Sequence, residues 1–181
     1  MRLPRTIRLD PSDLVVFQQA APAGEWAVPG GFAFWDEDPA ALAGKRRQEF
    51  RAGFLGIGSF GWSTLVEVAE ADPAEIEAAV MALAAHIRES YGAPDAAAAA
   101  AAAREEIGFA ASLCDHPPGT VLALSRVVED GAVRERFRSL HRREAPHGDF
   151  GALPVFGILE VTGEDEPGEY PDLTRLAKDR P

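Results

Sequence analysis

Apolar residues recur at two different spacings in the middle of the chain, and the change of spacing separates a strand from a helix. Over Trp62–Glu70 the side chains alternate in character, which predicts a strand. Over Ile76–Tyr91 apolar residues recur every three or four positions, which predicts a helix with one apolar face. This helix should begin at Asp72, which is followed by Pro73 and by an acid at the third helical position, and it should end at Gly92.

A second helix is predicted directly downstream, and a β-hairpin follows it. Asp95 restarts a helix that runs through the alanines at 96–103 to Leu113, and alanine has the highest helix propensity of all residues. Two alternating runs then follow, Thr120–Glu129 and Ala132–Arg142. The Asp-Gly dipeptide between them is typical of a two-residue hairpin loop.

That short loop fixes the register of the predicted hairpin. The expected pairs on one face are Val128 with Val133, Arg126 with Glu135, Leu124 with Phe137 and Leu122 with Ser139. This face is mostly apolar and carries one pair of opposite charges. We therefore expect it to face the core.

The other elements are predicted from shorter patterns. A β-hairpin is expected over Leu3–Phe17, because an Asp-Pro-Ser-Asp turn sequence divides two apolar runs. A short strand is expected over Phe32–Trp35, and one or two short helices over Asp38–Arg51. The last predicted strand is Val155–Val161.

The order of these elements is strands, then two long helices, then strands, which is typical of an α+β fold. We expect a mostly antiparallel sheet with the two long helices packed on one face, as a two-layer sandwich. Residues 1–163 are predicted to form this single domain. Residues 164–181 are predicted to be an acidic, mobile C-terminal tail, because they are rich in glycine, proline and acid and poor in apolar anchors.

Charge and composition limit the cellular compartments and the classes of partner that we expect for this protein. The net charge is −11 at pH 7, which repels polyphosphate and argues against a general nucleic-acid binder. No apolar run approaches the roughly 18 residues needed to span a membrane, and no secretory signal follows the basic start. One cysteine fits a reducing compartment. We therefore expect a cytoplasmic protein without membrane or nucleic-acid partners.

Three arginines, Arg134, Arg136 and Arg138, share one face of the second hairpin strand, and we call them the arginine row. In the predicted register they lie opposite Val127, Ser125 and Ala123. Guanidinium groups favour carboxylate and phosphate oxygens. The row is therefore a candidate site for an anionic small molecule or an acidic segment of a protein partner. The alternatives are that it faces the chain's own acidic tail or is a solvated strand edge.

Aromatic residues are concentrated between Trp26 and Trp62. Trp26, Trp35 and Trp62 are candidates for a flat ligand surface or a partner interface, since aromatic anchors dominate many interfaces. Core packing is the favoured account of the cluster as a whole.

The densest group of reactive side chains is Cys114-Asp115-His116. With His141 and His147, Cys114 and His116 are candidate zinc ligands, and the pair is also a candidate thiol nucleophile with its base. Two observations favour a structural role instead. Zinc ligands usually come in closely spaced pairs, and a helix C-terminus raises a thiol pKa. We therefore expect no cofactor, with Cys114 packed as a small apolar residue.

Residues 56–61 match the dinucleotide-binding pattern G-x-G-x-x-G. That chemistry requires a helix to open directly behind the loop, so that its N-terminus faces the pyrophosphate. Here the predicted strand begins at Trp62 and no helix starts before Asp72. The glycines are therefore interpreted as turns or bulges near a sheet edge.

Three segments, Glu25–Gly30, Gly53–Val66 and Phe109–Thr120, together resemble an uncharacterised bacterial family of small proteins of unknown function. The resemblance extends over roughly Leu3–Val161 and leaves the tail outside. It implies a genomic neighbourhood of accessory genes for molybdenum- or tungsten-dependent oxidoreductases, and hence a role in assembly or partner binding. It assigns no activity and no catalytic residue.

The sequence thus favours a non-catalytic, cytoplasmic binding or accessory domain that recognises a protein partner or an anionic small molecule. The first alternative is a metal-binding or thiol-dependent enzyme centred on Cys114 and His116. The second is a structural subunit that hides its aromatic residues in a homodimer.

Overall fold

Helices and antiparallel strands alternate along the chain in a computed structural model that describes residues 1–142 and 159–162. The helices are α1 (Ser12–Val16), α2 (Gly44–Ala52), α3 (Pro73–Tyr91) and α4 (Ala96–Ser112), with a 3₁₀ turn at Gly31–Phe34. The strands are β1 (Arg2–Ile7), β2 (Ala27–Val28), β3 (Phe54–Gly56), β4 (Trp62–Ser63), β5 (Leu65–Glu70), β6 (Val121–Glu129), β7 (Ala132–Arg142) and β8 (Leu159–Thr162). The predicted α+β class is confirmed.

Two antiparallel sheets organise these strands. One has five strands in the order β1-β5-β6-β7-β8, and the other has three in the order β2-β3-β4. The smaller sheet was not predicted. The helices α3 and α4 pack against each other, and α4 also contacts β1 and β2, so it reaches both sheets. Among the described residues, no helix is long and apolar enough to cross a membrane.

The two long helices follow their sequence signals closely. The Asp72 carboxylate accepts a hydrogen bond from the Glu75 amide at 2.8 Å, and Glu75 accepts one from the Asp72 amide at 2.9 Å, which completes a capping box. Gly92 ends α3 in the left-handed conformation, with φ 69°. Asp95 caps α4 through the Ala98 amide at 2.8 Å. Both predicted helices are confirmed.

The β6–β7 hairpin has the predicted register. Its pairs include Val128 with Val133, Arg126 with Glu135, Leu124 with Phe137 and Leu122 with Ser139. Leu122, Leu124 and Arg126 are buried, so this face meets the core as expected.

Arg126 is the largest fully buried side chain among the described residues and is only 1% exposed. Its Nε donates to Glu135 Oε1 at 2.6 Å, and its Nη1 donates to the carbonyls of Phe50 at 2.9 Å and Gly53 at 3.2 Å. Its Nη2 donates to the carbonyl of Pro29. One guanidinium therefore ties the hairpin to α2 and to the segments before and after it.

The expected hairpin over Leu3–Phe17 is wrong. β1 pairs instead with β5, with Arg2 opposite Glu70 and Ile7 opposite Leu65, while the second half of the segment forms α1. The buried carboxylate of Asp13 explains the difference. It accepts hydrogen bonds from the hydroxyl of Thr64 at 2.6 Å and from the Thr64 amide at 3.2 Å, which ties α1 to the start of β5.

The expected strand over Phe32–Trp35 is also wrong, because this segment forms the 3₁₀ turn. Gly30 adopts φ 71°, and the carbonyl of Gly30 then accepts from the Ala33 amide at 3.1 Å. The turn places the Phe34 ring in the core, with its centroid 5.3 Å from that of Phe50.

Two further boundaries differ from expectation, and two predicted segments lie partly or wholly outside the described residues. α2 begins at Gly44, because Asp38 closes a local turn with the Ala40 amide at 2.9 Å. The strand expected over Trp62–Glu70 is divided at Thr64, whose amide and hydroxyl bind Asp13. Of the last expected strand, residues 155–158 lie outside the described residues, as does the tail at 164–181.

Candidate functional site

The arginine row lies on β7 and is exposed at Arg134, Arg136 and Arg138. Its members are register partners of Val127, Ser125 and Ala123, as predicted. Arg136 Nη2 lies 2.6 Å from Glu129 Oε1, and both side chains are about half exposed. An exposed pair of this kind contributes about 0–1 kcal/mol, but it neutralises the middle of the row. The row is therefore a weaker anion site than three unpaired guanidinium groups would be.

The structure separates the three tryptophans. Trp62 is 5% exposed and belongs to the core, where its ring centroid lies 5.3 Å from that of Phe34. Trp26 is half-buried and packs on the same cluster. Trp35 is 70% exposed. The three side chains do not form one surface, and Trp35 is the tryptophan placed to meet a ligand.

Trp35 lines an open groove of about 360 Å³, which we call the Trp35 groove. Its aromatic lining residues are Phe32, Trp35 and Tyr91, which we call its aromatic wall, and its lining also includes Glu105 and Glu106 on α4. The Phe32 and Tyr91 rings meet edge to face with centroids 5.3 Å apart, so this wall is held in place. Apolar surface beside a few polar groups is typical of a ligand site.

Local sequence explains how the Trp35 groove forms. The 3₁₀ turn ends at Trp35, while Gly92 and Pro94 turn the chain sharply between α3 and α4. The small side chain of Ala102 lines the groove on α4 and leaves room between the helix and the turn. Three segments that are distant in sequence therefore contribute to one groove.

Negative charge is concentrated in the Trp35 groove, at Glu105 and Glu106. Burial raises the pKa of the Glu106 carboxyl, and the nearby carboxylates of Glu135 and Glu105 raise it further, while Arg126 opposes them. Within the described residues, Glu106 accepts no side-chain hydrogen bond and forms no ion pair. Burial also raises the pKa of the Tyr91 hydroxyl. The groove thus combines aromatic surface with a partly buried carboxylate that has more negative than positive neighbours.

Sequence reasoning missed Phe32, Tyr91, Glu105 and Glu106 as site residues. Tyr91 belongs to the predicted apolar stripe of α3, so its pattern indicated core packing. Two adjacent glutamates on a helix are typical of a solvated face. The nearest available signal was the concentration of aromatic residues around Trp35.

Cys114 is 1% exposed and packs with the core side chains of the large sheet. The backbone carbonyl of its neighbour His116 accepts a hydrogen bond from Arg2. Among residues 1–142 and 159–162, no group of three or more His, Cys, Asp or Glu side chains is arranged to hold a metal. His147 lies outside these residues and the side chain of His141 is not described, so the four-residue metal set stays a prediction.

The Cys114 thiol is expected to be unreactive in the native protein. Burial raises its pKa to about 11, so only roughly a thousandth of it is thiolate at pH 8. Alkylation by iodoacetamide should therefore be at least about 100-fold slower in the native protein than in urea-unfolded protein. Because the unfolded thiol ionises first, stability should also fall as the pH rises above about 9. Equal alkylation rates in the native and unfolded protein would support the thiol-enzyme alternative.

The glycines at 56, 58 and 61 lie at the end of β3 and in the loop that leads to β4, and no helix opens directly behind this loop. Each lies against another part of the chain. A Cβ at Gly61 would lie 2.7 Å from the backbone nitrogen of Ala21, and one at Gly58 would lie 3.0 Å from the Glu25 carboxylate. Close packing rather than dinucleotide binding accounts for the pattern.

Comparison with known proteins identifies the family. The chain belongs to the family of unknown function DUF6505, which it matches over residues 1–153. No curated protein and no solved structure matches the chain significantly.

Proposed function

We propose that the protein is a non-catalytic binding domain that recognises a protein partner through the Trp35 groove. The observation that carries this proposal is the exposure of Trp35, at 70%, beside an open groove with an ordered aromatic wall. Trp35 is exposed beside the other aromatic and apolar side chains that line the groove rather than singly, and tryptophan is enriched among the residues that dominate binding energy.

The arginine row supplies a second contact in this proposal. Arg134 is exposed, and within the described residues it forms no side-chain hydrogen bond or ion pair. It is therefore available to an acidic group of the same partner. The family resemblance extends the proposal to an accessory role in the assembly of an oxidoreductase in the cytoplasm.

A photo-crosslinking residue in place of Asp36, which is exposed and directly follows Trp35, tests the proposal in the cell that makes the protein. The captured partner is purified and titrated against the wild type, Trp35→Ala and Val15→Ala. Val15 is the matched control, because it is also 70% exposed and does not line the groove. Trp35→Ala is expected to weaken binding by about 2 kcal/mol, or roughly 30-fold, while Val15→Ala changes it less than about twofold.

The stability of both variants should stay within about 0.5 kcal/mol of the wild type, because both side chains are exposed. A loss of affinity in Trp35→Ala therefore reports the contact and not unfolding. Equal affinity of all three proteins for every captured partner would refute the groove as the binding site.

A further inference from the structure

The fold already holds one arginine against an aromatic ring and two carboxylates. The guanidinium carbon of Arg46 lies 4.0 Å from the centre of the Phe34 ring. Its Nε donates to Glu37 Oε1 at 2.9 Å and its Nη1 donates to Glu49 Oε2 at 3.1 Å. A guanidinium is stabilised in this way by the ring face and by its fork of hydrogen bonds at the same time.

The Trp35 groove offers the same components without the cation. It presents the aromatic side chains of Trp35 and Tyr91 and the carboxylates of Glu105 and Glu106. None of the described residues that line it is a lysine or an arginine. The combination of aromatic ring and carboxylates that binds the partly buried Arg46 is therefore repeated in the groove, where none of the lining residues supplies the cation.

Charge around Glu106 strengthens this comparison. Its electrostatic neighbours are two further carboxylates, Glu105 and Glu135, and one guanidinium, Arg126. Arg126 already donates to Glu135 and to three backbone carbonyls. The electrostatic neighbours of Tyr91, on the aromatic wall, are Arg46, Glu37 and Asp36. Carboxylates therefore outnumber guanidinium groups around the groove, and the net charge of −11 reinforces this excess at long range.

We infer that the Trp35 groove receives an arginine side chain from a basic segment of a protein partner. The inference rests on the proposed function and specifies its chemistry. Arginine fits better than lysine, because its planar guanidinium stacks on an aromatic ring while it donates in parallel to a carboxylate. The open shape of the groove admits a side chain that remains attached to a folded partner.

The test uses the full chain labelled with ¹⁵N and a capped glycine–arginine–glycine peptide as the probe. The matched probe replaces arginine with citrulline, which has nearly the same shape and no charge. Titration of the arginine peptide is expected to shift the amide signals of Gly92, Ala102 and Glu106. The citrulline peptide should bind at least about tenfold more weakly, since its ureido group still donates hydrogen bonds but lacks the positive charge that strengthens them.

Two variants that each remove one negative charge show whether binding of the arginine peptide depends on the Glu106 carboxylate. Glu106→Gln should weaken binding of the arginine peptide about tenfold. Glu77→Gln is the control, because Glu77 is on α3, is exposed and lies 3.8 Å from Arg104, outside the groove. It should change the affinity less than about twofold. Unchanged thermal unfolding of each variant shows that it is folded.

Two other outcomes of the titration would contradict the inference. If both peptides bind in the groove with equal affinity, the inference about charge is overturned and the proposed partner-binding groove stands. If the arginine peptide causes no shifts at the groove at millimolar concentration, the inference is overturned as well. The crosslinking at position 36 and the titration of Trp35→Ala then decide the proposed function independently.

Discussion

Replacing Arg126 with methionine is expected to lower the free energy of unfolding by about 3–5 kcal/mol, because it breaks a buried ion pair from one side. The substitution leaves the carboxylate of Glu135 without its partner at 2.6 Å. It also removes the donor to the backbone carbonyls of Pro29, Phe50 and Gly53. Urea unfolding followed by circular dichroism measures the loss.

The matched control for this change is Arg136→Met in the same hairpin. Arg136 also forms an ion pair at 2.6 Å, with Glu129, but both side chains of this pair are exposed to water. The control should therefore cost no more than about 1 kcal/mol. Similar losses of unfolding free energy in the two variants would contradict the explanation that burial makes the Arg126 network more stabilising than the exposed pair.

Replacing Gly61 with alanine is expected to cost about 1–3 kcal/mol, as overpacking of a closed site does. The added Cβ would lie 2.7 Å from the nitrogen and 2.8 Å from the carbonyl carbon of two neighbouring backbone residues, Ala21 and Ala20. These atoms are held in place, because the Ala21 amide donates to the carbonyl of Trp62 at 2.9 Å. The chains can separate only if this hydrogen bond lengthens.

Gly58→Ala is the control for this second change and should cost less than about 1 kcal/mol. Its Cβ would meet the side chain of Glu25, with the nearest atom at 3.0 Å. The Glu25 carboxylate accepts hydrogen bonds from the Ser59 amide and hydroxyl, but it can adjust by small rotations where a backbone cannot. Thermal unfolding of the two variants compares them directly. Comparable destabilisation by both would show that the loop is constrained by something other than the approach of residues 20 and 21.

Much of the second half of the fold could be predicted, because its signals are local. The helix caps at Asp72 and Asp95 and the Asp-Gly loop of the hairpin each involve residues only a few positions apart. The first half could not be predicted in this way. Its structure depends on partners far along the chain, such as β5 for β1 and the start of β5 for the carboxylate of Asp13.

The candidate site was accessible from sequence only in part. Trp35 was predicted as a candidate together with the other two tryptophans, because a sequence does not distinguish an exposed aromatic residue from a buried one. Glu106 gave no signal, because its environment is created by Tyr91 from another helix and by Glu135 from β7. The arginine row was located correctly by register, but its pairing at Glu129 depends on side-chain positions that a register does not specify.

The position of Arg126 also affects the order in which the protein can fold during synthesis. Its three carbonyl acceptors precede it by 97, 76 and 73 residues, so they leave the ribosome well before their donor is made. Until then water must satisfy these groups, and the loops around α2 cannot close in their final arrangement. A nascent chain halted before the β6–β7 hairpin should therefore remain sensitive to protease around residues 29–53, and protection should appear once Glu135 has emerged.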